Sequence, residues 1–239
     1  MLLQILTYTH HLTTMLFGIF LSAFFLGVKQ NKKNVCILLG GGAVSGLFFL
    51  ICNTVFGSLF TEAVYPIFVH LPLFLLLVFY YRFRWLPSII SIMTAYLCCQ
   101  FSNWAGIFAL SLSGLDWVYY LVRIIVTVAV FAFLSRYLCQ TTALLFAKSD
   151  RELYILGAMP FVYYVFDYST TKFSMLLYSG NKVVVEFLAF AMCISYVIFL
   201  FVYFQEYELK NRAEQYGQLT NMQLNSLHSE IEQVRSSEQ

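Results

Sequence analysis

The chain has 239 residues, of which 60% are apolar, 19% aromatic and only 11% charged, and its net charge is +2. A soluble domain usually carries about 25% charged residues, so an ordinary cytosolic enzyme is excluded, and the weak positive balance offers no broad basic surface for nucleic acid. Seventeen charged side chains lie in residues 1–204 and the other nine in residues 205–239, which reads as a polytopic membrane domain followed by a water-exposed tail.

A helix needs about 20 apolar residues to cross the hydrocarbon core of a bilayer. Runs of this kind predict spans near 7–28, 35–56, 63–81, 86–107, 117–134, 153–171 and 183–204, and hence an all-α fold of seven transmembrane helices with a cytoplasmic coiled-coil helix after them. The first run is no secretory signal, because the first basic residue, Lys29, follows it instead of preceding it. His10 and His11, at its start, read as exposed or locally satisfied histidines. In the second span Gly42 and Gly46 form a GxxxG pair. Without the Lys and Ser or Thr of a phosphate loop it implies close helix packing. Pro66, Pro72 and Pro160 fall within spans and predict kinks that a membrane helix tolerates, while Pro87 sits at a span start, where a missing amide hydrogen costs little.

The connecting segments alternate in charge. Lys29, Lys32, Lys33, Arg82, Arg84, Arg136, Lys148 and Arg151 follow the first, third and fifth spans, against Lys172 and Lys182 on the other face. The richer face is cytoplasmic by the positive-inside rule. The expected location is therefore the cell membrane, multi-pass, with the N-terminus outside and the C-terminus in the cytoplasm.

With that orientation the ionisable residues inside the spans collect near the outer edge. Arg123, Asp167 and Glu186 lie three to six positions from outer span boundaries, within about 10 Å of the edge at about 1.5 Å per residue. Asn53, His70, Gln100 and Asn103 follow the same trend. Charged groups in a bilayer are functional candidates by default, so Arg123, Asp167, Glu186, His70 and Asn103 form a candidate ligand-sensing cluster in which Arg123 pairs with Asp167 or Glu186. Static pairing that fixes helix order, or snorkelling to the interface, is the competing reading. Cys36, Cys52, Cys98, Cys99, Cys139 and Cys193 lie in or near apolar runs without a CxxC pair and read as small packing residues. No metal-ligand set and no catalytic triad or carboxylate pair stands out, so no catalytic centre is expected within these residues.

After Phe204 an apolar or small residue recurs at Leu209, Ala213, Tyr216, Thr220, Leu224, Leu227, Ile231 and Val234. This is a heptad seam with one four-residue stutter near Thr220. A stripe this narrow buries little unless a second helix covers it, so a homodimer through Leu224, Leu227, Ile231 and Val234 is expected.

The aromatic-rich spans, followed by an unbroken helix ending in Leu224-Asn225-Ser226-Leu227-His228-Ser229-Glu230-Ile231-Glu232-Gln233-Val234-Arg235, resemble the N-terminal part of membrane sensor histidine kinases with a GHKL-type ATPase domain. These are the Gram-positive receptors related to quorum-sensing peptide receptors. Tyr163-Tyr164-Val165-Phe166-Asp167-Tyr168 and Val183-Val184-Val185-Glu186-Phe187 are similar to clostridial members. The resemblance implies a two-component receptor with a peptide or small-molecule signal and contact with membrane lipid. It also implies a response regulator reached through a kinase domain that binds ATP and Mg. That domain and its phosphoacceptor box do not occur in these residues, and Ser229-Glu230 after His228 does not match the box. A fragment ending before the box is therefore the expectation, with no cofactor of its own. A non-catalytic membrane scaffold and a small-solute transporter are the alternatives; the second would show an internal repeat.

Overall fold

The structure is a computed structural model that describes residues 2–57, 60–61, 64–147, 150–171 and 182–237, the side chains of 151, 168–171, 182–189, 230 and 232–237 excepted. Its described residues are mostly helical and contain no strand. The helices are α1 (Leu2–Phe25), α2 (Lys32–Phe56), α3 (Pro66–Tyr80), α4 (Trp85–Cys98), α5 (Gln100–Ser113), α6 (Asp116–Tyr137), α7 (Cys139–Phe146), α8 (Asp150–Thr171) and α9 (Lys182–Ser237).

Local chemistry sets the ends of these helices. The Asn31 side chain accepts from the Asn34 amide at 2.8 Å and caps α2, satisfying one of its unpaired first-turn donors. Gly114 closes α5 in the left-handed region (φ 66°), its amide returning to the Leu110 carbonyl at 2.8 Å. Within α3, turns at Pro66–His70 and Leu76–Tyr80 are widened to π-helix. Pro72 withholds an amide and its ring crowds the carbonyl of residue 68. The Leu71 amide accordingly bonds five residues back to Pro66; in the second widened turn the Tyr81 amide bonds five back to Leu76. α4 and α5 form one run, Trp85–Ser113, interrupted only at Cys99, whose amide is shared between the Ala95 and Tyr96 carbonyls at 3.2 and 3.1 Å.

Among the described residues four stretches are long and apolar enough to cross a membrane: Lys32–Phe56, Trp85–Ser113, Asp116–Tyr137 and Phe190–Ser229. Trp85–Ser113 is the most enclosed of them. α2 and α6 instead leave Leu47, Phe48, Ile51, Val55, Ile125, Val128 and Phe133 uncovered. Apolar surface on this scale is not left open to water, and it marks the chain as a membrane protein.

The chain divides into two compact units, Met1–Ser195 and Tyr196–Gln239. In the first, the C-terminal half of α1 is the centre: Phe17, Ile19, Leu21, Ala23 and Phe25 are buried where α1 packs on α2, α4, α6 and α7. Phe17, Phe20 and Phe24 surround Phe131 of α6 at 6.1 to 6.4 Å between ring centres. Helices in lipid gain no hydrophobic drive from each other, so small residues that admit close approach decide the packing. A Cβ on Gly42 would come within 3.0 Å of Ile19 and one on Gly46 within 3.5 Å of Met15, which places the GxxxG pair against α1. A Cβ on Gly157 of α8 would lie 2.7 Å from Ile90 of α4. Ser88, Ser91 and Thr94 of α4 are fully buried; Ser88 and Ser91 return their hydroxyls to the Arg84 and Ser88 carbonyls at 2.8 and 3.0 Å.

The segment between the fifth and sixth predicted spans is more than a connection. It holds α7, whose Cys139, Leu145 and Phe146 are buried and whose Phe146 meets Phe25 edge-on at 6.5 Å. An eight-residue helix is too short to register as a span, and its burial depends on α1. In the second unit, Tyr196 to Ser237 continues as part of α9. There Leu209, Tyr216, Leu224, Leu227 and Ile231 are exposed, while the side chain of Val234 lies outside the described residues.

Candidate functional site

Three of the sequence candidates, His70, Asp167 and Arg123, are divided between two polar clusters in the first unit. The first is built by α3, α4 and α8. Tyr164 and Asp167 are three residues apart on α8 and share a face; Tyr96 projects from α4 and His70 from α3. Tyr96 donates its hydroxyl hydrogen to Asp167 Oδ2 at 2.5 Å, the short distance expected of a hydroxyl on a carboxylate. His70 Nδ1 and the Tyr164 hydroxyl lie 2.9 Å apart. The His70 ring is enclosed by Tyr65, Tyr164 and Tyr96 at centroid distances of 5.3, 5.6 and 5.7 Å, and the Tyr96 and Tyr164 rings meet at 5.0 Å. The outcome is a carboxylate and an imidazole held beside each other's tyrosines inside an aromatic wall.

The second cluster is built by α1, α5 and α6. Arg123 Nη1 donates to the hydroxyl of Tyr119, one turn earlier on α6, and the guanidinium carbon lies 5.1 Å from that ring's centre. Such a contact spreads positive charge over a π face. The Arg123 carbonyl accepts from Thr127 Oγ1 at 2.7 Å. Across the interface, His10 of α1 is almost fully buried. Its ring meets Tyr120 at 5.9 Å and His11 at 5.4 Å, and its Nδ1 is 3.3 Å from Thr14 Oγ1. Gly106 of α5 makes the room: a Cβ there would overlap the Arg123 stem and crowd Tyr119.

His70 and Asp167 therefore share one cluster, bridged by two tyrosines, and Arg123 belongs to the other. Arg123 and Asp167 each take a tyrosine, and no ion pair joins them. The Asn103 amide nitrogen lies 3.3 Å from the Gln100 side-chain oxygen, one turn earlier on α5. The side chain of Glu186 lies outside the described residues. Among the described residues, no group of three or more His, Cys, Asp or Glu is placed to hold a metal.

Sequence reasoning missed Tyr96, Tyr119 and Tyr164, and it read His10 as an exposed or locally satisfied histidine. The signal was present in spacing, since Tyr119 precedes Arg123 by four residues and Tyr164 precedes Asp167 by three. With 17 tyrosines in the chain, however, residue type alone could not select them. Compared with known proteins, the chain matches no family model, no curated protein and no solved structure.

Proposed function

We propose that the chain is the membrane receptor module of a two-component histidine kinase of the GHKL kind. In this reading seven spans detect an extracellular or membrane-borne signal, and the last span passes it to a dimeric cytoplasmic coiled coil. The N-terminus is outside and the tail inside. The observation that carries the reading is the apolar stripe on residues 209–231, because Leu209, Tyr216, Leu224, Leu227 and Ile231 are each more than half exposed. Burying one such side chain contributes about 1.5–3 kcal/mol. A parallel second copy superimposes every seam position on itself, and the exposed helix gains a reason for its heptad spacing.

Two contacts within the first unit support the expected topology. Arg84, before α4, bonds Asp150, at the start of α8, at 2.6 Å, and both segments are expected on the cytoplasmic face. His10, early in α1, meets Tyr120, early in α6, and both are expected outside. The two polar clusters then lie toward the outer ends of their helices, where a ligand from outside would arrive. Occupancy there would shift α6 or α8 against their neighbours, and the movement would reach the tail as a rotation or slide.

The test is disulfide crosslinking of single-cysteine variants at Leu227 and Ile231, made in a background without native cysteines and kept in native membranes. Self-crosslinking at these positions, together with little at the opposite-face position Met222, is the expected result. Equal crosslinking at all three, or none, sinks the dimer and with it the receptor reading.

A further inference from the structure

Arg123 presents an incomplete set of partners. A guanidinium offers five N–H donors in a planar fork. Among the described residues one acceptor, Tyr119, is given to it, at Nη1. Its Nε is buried and has no hydrogen-bond partner, and a buried donor left in that state calls for an explanation such as a missing ligand. No carboxylate among the described residues lies within ion-pairing distance. Asp116, on the same helix, is two turns away, about 10 Å along the axis, and Asp167 is bonded to Tyr96. The edge formed by Nε and Nη2 is the one that grips two oxygens of a carboxylate or phosphate side by side. Arg123 as a whole is half-buried, its Nε being enclosed, and Gly106 leaves the space in which its stem lies.

We propose that Arg123, with Tyr119 beside it, is an oxyanion-binding site for a singly charged group that offers two oxygens, a phosphodiester or a carboxylate. The group comes either from a lipid headgroup or from a small soluble anion. The inference deepens the receptor reading by naming the ligand's chemical class, and it rests on that reading only for the claim that occupancy is signalled.

The test is native mass spectrometry of the full chain in neutral detergent, titrated with phosphatidylglycerol and, as a phosphate-free control, with diacylglycerol. Wild type is expected to retain one phosphatidylglycerol and no diacylglycerol. Retention is expected to fall at least tenfold in Arg123→Gln and about threefold in Arg123→Lys, which keeps the charge but not the fork. Gly106→Ala, which displaces the stem without changing charge, is expected to weaken it as well, while Arg136→Gln leaves it unchanged. Displacement of the lipid by millimolar acetate or inorganic phosphate assigns a soluble source, and resistance to both assigns the headgroup; either supports the site. Equal losses in Arg123→Gln and Arg136→Gln, equal retention of diacylglycerol, or no retention by wild type overturns it. So does a tenfold gain in Glu186→Gln, which would mean that the chain's own carboxylate fills the fork. If Arg123→Gln does not fold, the Lys and Gly106→Ala variants carry the comparison. Retention without any change in tail crosslinking leaves the site standing and sinks the receptor reading, whereas crosslinking changes without retention do the reverse.

Discussion

Replacing Gly157 with Ala tests how tightly α4 and α8 are packed, and with them the scaffold of the His70 cluster. The added Cβ would lie 2.7 Å from both Cδ1 and Cγ1 of Ile90 and 3.3 Å from its Cγ2. Ordinary carbon contacts need about 3.5–4.0 Å, so a displacement of nearly one ångström must be found. Ile90 is 4% exposed and, as a β-branched residue in a helix, has essentially one χ1 rotamer. Relief must therefore come from separating the helices, and overpacking of this kind costs about 1–3 kcal/mol. For a chain of this length that corresponds to a melting temperature lower by about 2–12 °C, measurable by thermal unfolding in detergent. Ile90→Ala alone opens a cavity and costs about 2–5 kcal/mol. In the Gly157→Ala background it should cost about 1–2 kcal/mol less, since the clash and the cavity cancel in part. A Gly157→Ala protein within about 0.5 kcal/mol of wild type, or strictly additive single changes, would refute the close approach of these helices.

Other expectations follow from the same geometry. Tyr96→Phe removes the hydroxyl that Asp167 accepts and should destabilise by about 1–3 kcal/mol in denaturant unfolding; Asp167→Asn in the Tyr96→Phe background should then cost clearly less than Asp167→Asn alone. Arg84→Ala breaks the 2.6 Å bridge to Asp150, but the two side chains are 48% and 60% exposed, so the loss should stay below about 1 kcal/mol and shrink further in high salt. Leu227→Glu combined with Ile231→Glu places like charges on the exposed seam and should abolish tail crosslinking while leaving the melting of residues 1–195 unchanged.

Much of the architecture is legible from the residues alone because hydropathy is a one-dimensional property. The long apolar runs lie on helices, with four stretches among the described residues long and apolar enough to cross a membrane, and Leu209, Tyr216, Leu224, Leu227 and Ile231 are exposed on a helix. The GxxxG pair also meets a neighbouring helix as its small residues imply. Such features depend on the order of side chains along the chain, since 3.6 residues per turn converts spacing into a face.

What sequence could not reveal is which helix stands beside which. Span boundaries assign Arg123, Asp167 and His70 a common depth, but depth says nothing of position around the bundle. Only tertiary packing puts α6 against α1 and α5 and α8 against α4, so that His10 meets Tyr120 of the Arg123 helix while Asp167 meets Tyr96 beside His70. α7 follows the same logic: eight residues with three buried apolar side chains form a stable helix only because Phe25 and the rest of α1 supply the surface they cover. The lateral arrangement arises from small residues such as Gly106 and Gly157, which let particular helices approach. A glycine's value as a gap exists only once the side chain that fills it has been brought there.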